Sequence, residues 1–151
     1  MSIIRYTSLC LLALFSLSAC SQPATKPAAV PPEDLTLAGV NLNQPIRLLG
    51  TEPFWSLDIS ASTLIYKDME NAQHRAENTG PEMVGTMAIW QTKTGTDAPM
   101  KVTLIATDCS DGMSDRIYPL TARVEMDQLD LKGCAAALTA LEKAGEAGRV
   151  E

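Results

Sequence analysis

Aromatic side chains are scarce in this chain, 5% of 151 residues, which leaves no stacking platform for single-stranded nucleic acid. Positive charge is not in excess either: 12 Lys and Arg stand against 18 Asp and Glu, a formal net charge of −6. Nucleic-acid binding depends on neutralising phosphates, so nucleic acid is not an expected partner. The same balance speaks against adhesion to anionic lipid heads. There is one histidine, His74. It supports neither a zinc site of several histidines nor a Ser-His-Asp triad centred elsewhere, and it reads as an exposed loop side chain. No catalytic or cofactor motif and no internal repeat is present; no cofactor and no metal are expected.

What the chain does have begins with an address. Residues 1–7 carry a single cation, Arg5, and 8–17 form an apolar run dominated by Leu9, Leu11, Leu12, Ala13, Leu14 and Phe15. The run is too short for a mature membrane span and small residues follow it, as in a signal peptide. Its end, Leu17-Ser18-Ala19-Cys20, resembles a bacterial lipobox. The resemblance implies cleavage after residue 19, a diacylglyceryl thioether on Cys20 and an acyl chain on its new amino group. Several chains anchor stably where one does not. Ser21 follows the lipid site, similar to lipoproteins sorted to the outer membrane. The expected location is the bacterial cell envelope, lipid-anchored and facing the periplasm. Residues 20–34 hold the lipidated Cys and a tether with Pro23, Pro27, Pro31 and Pro32, a composition that favours an extended, solvated chain.

Residues 35–151 read as one β-rich domain. Leu35 to Asn43 is either an irregular strand or a short turn. Ile46 to Leu49 is a strand, Gly50 to Pro53 a turn, and Phe54 to Ile59 alternates with Trp55, Leu57 and Ile59 on one face. Thr63 to Tyr66 completes a hairpin. Lys67 to Glu82 is polar and reads as a long loop. Met83 to Gln91, Lys101 to Thr107, Tyr118 to Met126 and Leu129 to Lys132 read as further strands. Ala135 to Glu146 is rich in Ala, Leu, Glu and Lys and reads as a short C-terminal helix. About seven strands with turns between them predict a mainly β fold, a small antiparallel barrel or sandwich.

Of four cysteines, Cys10 leaves with the signal and Cys20 takes the lipid. Cys109 and Cys134 remain as a pair in an exported chain, which predicts a disulfide. If the strands ending at Thr107 and starting at Leu129 both flank Tyr118 to Met126, they lie about 10 Å apart. Disulfide Cα atoms sit only about 4.4–6.8 Å apart, so Cys109 must lie beyond its strand, with the loop to Ile117 folded over the sheet end. That loop holds the densest polar chemistry of the chain. Asp108, Asp111 and Asp115 fit no EF-hand spacing and read as turn organisers rather than metal ligands. Ser110 and Ser114 lack a neighbouring base and read as turn caps. Glu52 with Asp111 or Asp115 is a candidate acid/base pair for a carboxylate enzyme.

The segments Gly50-Thr51-Glu52-Pro53-Phe54-Trp55-Ser56, Cys109-Ser110-Asp111-Gly112-Met113-Ser114-Asp115, Tyr118-Pro119 and Gly133-Cys134-Ala135 resemble the signature of a bacterial envelope lipoprotein and membrane-protein family. In that family these segments sometimes accompany META/HslJ-type or lysozyme-inhibitor-type domains. The resemblance covers about residues 44–136; it implies an envelope location and carries no established activity. The expected function is a non-enzymatic binding or structural module whose pinned loop meets an envelope protein or glycan. The alternatives are an inhibitor of a cationic hydrolase such as a c-type lysozyme, and a carboxylate-based enzyme. The candidate surface site is Glu52, Phe54, Trp55, Asp111, Ser114, Asp115 and Arg116. Glu52 and Arg116 are its expected ion pair.

Overall fold

Strands form where apolar and polar residues alternate, because successive side chains leave opposite faces of the backbone. The computed structural model describes residues 35–151 apart from residue 71. The signal peptide, the lipid site at Cys20 and the tether lie outside the described residues. Leu35 to Asn43 resolves into a miniature hairpin, β1 (Thr36–Leu37) and β2 (Val40–Asn41), turned by Ala38 and Gly39 at positive φ. Then follow β3 (Ile46–Thr51), β4 (Phe54–Ile59), β5 (Thr63–Asp68), β6 (Gln73–Glu77), β7 (Glu82–Val84), β8 (Met87–Lys93) and β9 (Pro99–Ile105). β10 (Asp115–Ile117), β11 (Leu120–Met126), β12 (Leu129–Ala137), the helix α1 (Leu138–Lys143) and β13 (Ala147–Arg149) complete the chain.

One nine-stranded antiparallel sheet in the order β6-β5-β4-β3-β12-β11-β9-β8-β7 curls into a half-barrel. Its two margins approach each other at a seam. Ala76 bridges Thr94, the Gly95 N–H donates to the Arg75 carbonyl (2.9 Å), and the Thr92 hydroxyl donates to the Glu77 carbonyl (2.9 Å). The Trp90 indole N–H donates to the Asn78 side-chain oxygen across the same seam (3.1 Å). The concave face holds the core. Leu48, Leu57, Leu64, Trp90, Val102, Leu104, Leu120 and Val124 are fully buried there, and each large apolar side chain so placed contributes about 1.5–3 kcal/mol.

A second, smaller core lies on the outer face of β12. Tyr118, Cys134, Ala136, Ala140 and Val150 pack together there, against α1 and the C-terminal residues. This explains where the helix expectation needs correction. Ala135 to Ala137 belong to β12, and α1 is confined to six residues. Ala135 faces the main core and Ala136 the outer one, so small side chains covered on both faces outweigh the helix propensity of alanine. Two other corrections concern strands. Lys67 to Glu82 is not a long loop, since β5 runs to Asp68 and β6 occupies Gln73–Glu77. In β6 only Ala76 is fully buried, so the strand shows no apolar alternation. Met83 to Gln91 is two strands rather than one, because Gly85 at φ +58° turns the chain between β7 and β8.

Candidate functional site

The β3–β4 hairpin turns through Glu52-Pro53, a cis peptide bond. Gly50, expected in that turn, lies inside β3 opposite Trp55. Trp55 packs inward, buried beneath the turn, and stacks at 6.4 Å on Tyr66. Phe54 leaves the opposite face of β4 and is 47% exposed.

Above this hairpin runs the loop between β9 and β11. Cys109 lies beyond β9, and its disulfide to Cys134 spans a Cα–Cα distance of 5.5 Å. The loop crosses the outer face of β12 and β3 rather than the sheet end: Cys134 pairs with Leu49 of β3, and the Thr51 hydroxyl donates to the Asp111 carbonyl at 2.9 Å. The base of the loop is closed by reciprocal backbone bonds between Cys109 and Tyr118, 3.0 and 2.8 Å. Its far limb, β10, pairs in parallel with β13, and Arg149 grips Asp108 with two bonds of 2.6 and 2.9 Å. That contact holds the Asp108 carboxyl below its ordinary range.

Asp111 organises the loop from inside. One carboxylate oxygen accepts the Met113 and Ser114 N–H groups (2.9 and 2.8 Å); the other accepts the Ser114 and Tyr118 hydroxyls (both 2.8 Å). Partial burial pushes the carboxyl up, but these four donors outweigh it and bring the group down to about 2. Burial, and then the bond to Asp111, push the Tyr118 phenol up. Asp111 and Ser114 are thus turn organisers. Asp115 is exposed, and its side chain takes no part in this cluster.

The hairpin and the loop therefore meet. The expected Glu52–Arg116 pair does not form. The Arg116 guanidinium donates to the Gly145 carbonyl at 2.7 Å and lies 3.5 Å from Glu146, because the chain returns past β10 as β13. Glu52 instead borders a pocket of about 420 Å³ with Thr51, Ser110, Asp111, Lys132 and the disulfide. On the other side of the loop a second pocket of about 400 Å³ is bordered by Phe54, Lys67, Asp68, Met69, Met113 and Arg116. Met69 and Met113 are 72% and 69% exposed, so with Phe54 they make an open apolar patch ringed by charge. Among the described residues, His, Cys, Asp and Glu side chains do not gather in threes around a possible metal position.

Compared with protein-family models, curated proteins and solved structures, the chain matches none.

Sequence reasoning missed Met113, which lies inside the loop but was not singled out, and also Met69 and Lys132. Neither of the last two belongs to a recognisable motif, though Met69 carried one signal: a long apolar side chain in a polar stretch with no periodicity to bury it.

Proposed function

We propose that the chain is a non-enzymatic, lipid-anchored envelope module whose hairpin-and-loop surface docks a protein partner. The observation that carries this reading is the open patch of Phe54, Met69 and Met113, in which Met113 stands on a loop fixed by a disulfide and by the Asp111 bonds and Met69 on a turn tied by Asp68. Exposed apolar side chains gathered at one place mark contact surfaces, and methionine adapts its shape to a partner. Pre-fixed turns lower the ordering cost of binding. The segments Gly50 to Ser56 and Cys109 to Asp115, quoted for the family resemblance, converge here. Both oxygens of Asp111 are engaged inside the loop, so acid–base chemistry between Glu52 and Asp111 is not favoured. Anchoring through Cys20, on the periplasmic side of the outer membrane, would hold the domain within reach of envelope proteins.

The test is a pull-down from envelope extract with wild type and with Phe54→Ser and Met113→Ser chains. A discrete protein captured by wild type and lost with both variants, at unchanged melting temperature, supports the reading. A cationic hydrolase as the captured protein would select the inhibitor form of it. Equal capture by all three chains removes the patch from the interface. Glycan binding or turnover without protein capture favours the alternatives.

A further inference from the structure

The methionines of this chain are unequally protected. Met100 and Met126 are buried in the main core, Met87 is half-buried and Met83 is 37% exposed. Met69 and Met113 are far more open and belong to neither core. They come from different elements, the β5–β6 turn and the β9–β11 loop, yet border the same pocket. Each is held out by a carboxylate that ties its turn. Asp68 accepts the Glu70 and Ala72 N–H groups at 2.9 and 3.0 Å, and Asp111 accepts the Met113 N–H at 2.9 Å. Turns fixed in this way keep the thioethers at the surface.

We propose that Met69 and Met113 are a paired modification site: oxidants of the peroxide class convert both to sulfoxides in the folded chain and thereby turn the contact surface polar. The consequence for binding rests on the docking reading above. In each conversion the sulfur gains one S–O bond as the peroxide O–O bond breaks. The sulfur is oxidised by two electrons, and the other peroxide oxygen leaves as water with both hydrogens. Susceptibility follows exposure, and the product is a polar group where an apolar one stood. Neither side chain is packed in a core, so the change alters the surface without opening the fold. Methionine sulfoxide reduction restores the original surface.

The test uses the full mature chain with Cys20→Ser, secreted behind an ordinary cleavable signal, so that neither lipid nor leader contributes to retention on a phenyl column. The folded chain is treated with graded hydrogen peroxide, mapped by peptide mass spectrometry and run on that column. Met69 and Met113 should oxidise several-fold ahead of Met83 and Met87, with Met100 and Met126 spared. Retention should shorten with that conversion at unchanged melting temperature, and a Met69→Leu/Met113→Leu chain should keep its retention under the same peroxide. Equal oxidation of Met83 and Met87, or equal loss of retention by the double variant, overturns the proposal. Both readouts are made without a partner, so a failed pull-down leaves them decisive. Conversely, capture that survives full conversion of both residues overturns the switch and leaves the docking surface standing.

Discussion

The Trp55 indole occupies the space in which a side chain at Gly50 would stand. The two residues face each other in the β3–β4 ladder, and the ring reaches on to Gly133 of β12. A Cβ on Gly50 would meet the indole and the Lys132 carbonyl; on Gly133 it would meet the Leu49 carbonyl and the ring edge. Two glycines on neighbouring strands thus make the bed for Trp55, buried beneath the site.

These contacts differ in what can yield. Gly133→Ala strikes backbone, which cannot move without breaking the β3–β12 ladder, and should destabilise by about 1–3 kcal/mol or more. Gly50→Ala strikes the ring first. Replacing Trp55 by Leu should therefore recover part of the Gly50→Ala cost and little of the Gly133→Ala cost. Thermal unfolding of the singles and doubles gives the two couplings, expected at about 0.5–3 kcal/mol for the Gly50 pair. Additive behaviour at Gly50 and Trp55 would refute the bed.

The disulfide closes 25 residues, which on the chain-entropy model stabilises by about 3.5 kcal/mol. Alkylation of the unreduced, denatured chain should leave Cys109 and Cys134 unlabelled. A Cys109→Ser/Cys134→Ser chain should melt lower by an amount of that order. Labelling of both residues in that unreduced, denatured chain would show that the Cys109–Tyr118 bonds and Thr51 hold the loop without it.

Much of this was readable from residue order. The alternation of Trp55, Leu57 and Ile59 placed β4, and counting cysteines placed the loop's anchor. Gly50 misled, because a glycine beside Glu52-Pro53 looks like turn chemistry, whereas here it makes room for a ring from the next strand. β6 was invisible, since a strand with only Ala76 fully buried has no period to detect. The partner of Arg116 was hidden for another reason. Gly145 to Arg149 has the composition of a fraying helix end, and only the folded chain brings it back alongside β10.

The lipid reading has its own check. Mass spectrometry of the mature N-terminus should show an acylated Cys20, and a mature chain with Cys20→Ser, exported behind an ordinary cleavable signal, should leave the membrane fraction with the fold of 35–151 intact. An unmodified N-terminus at another residue would end the membrane placement.

Asp111 and Asp115 are near neighbours with opposite expected behaviour. Asp111 accepts four bonds, and an amide in its place keeps one acceptor oxygen and sets an NH₂ donor against groups that also donate. Asp111→Asn should cost about 1–3 kcal/mol, while the exposed Asp115→Asn should stay within about 0.5 kcal/mol of wild type. Acid titration tests the Asp111 cluster further. The folded Asp111 carboxyl sits at about 2, below its ordinary value of 3.8, so the unfolded chain takes up this proton first. The stabilisation from the charged form is then complete above about pH 4 and is lost as pH falls toward 2. Asp108 and Asp130, lowered by their arginine partners, add to the same acid limb. The informative quantity is therefore the difference between wild type and Asp111→Asn. That difference should shrink between about pH 4 and 2. A constant difference across that range would mean that Asp111 is not held as a carboxylate by Ser114, Met113 and Tyr118, and that the loop keeps its shape by other contacts.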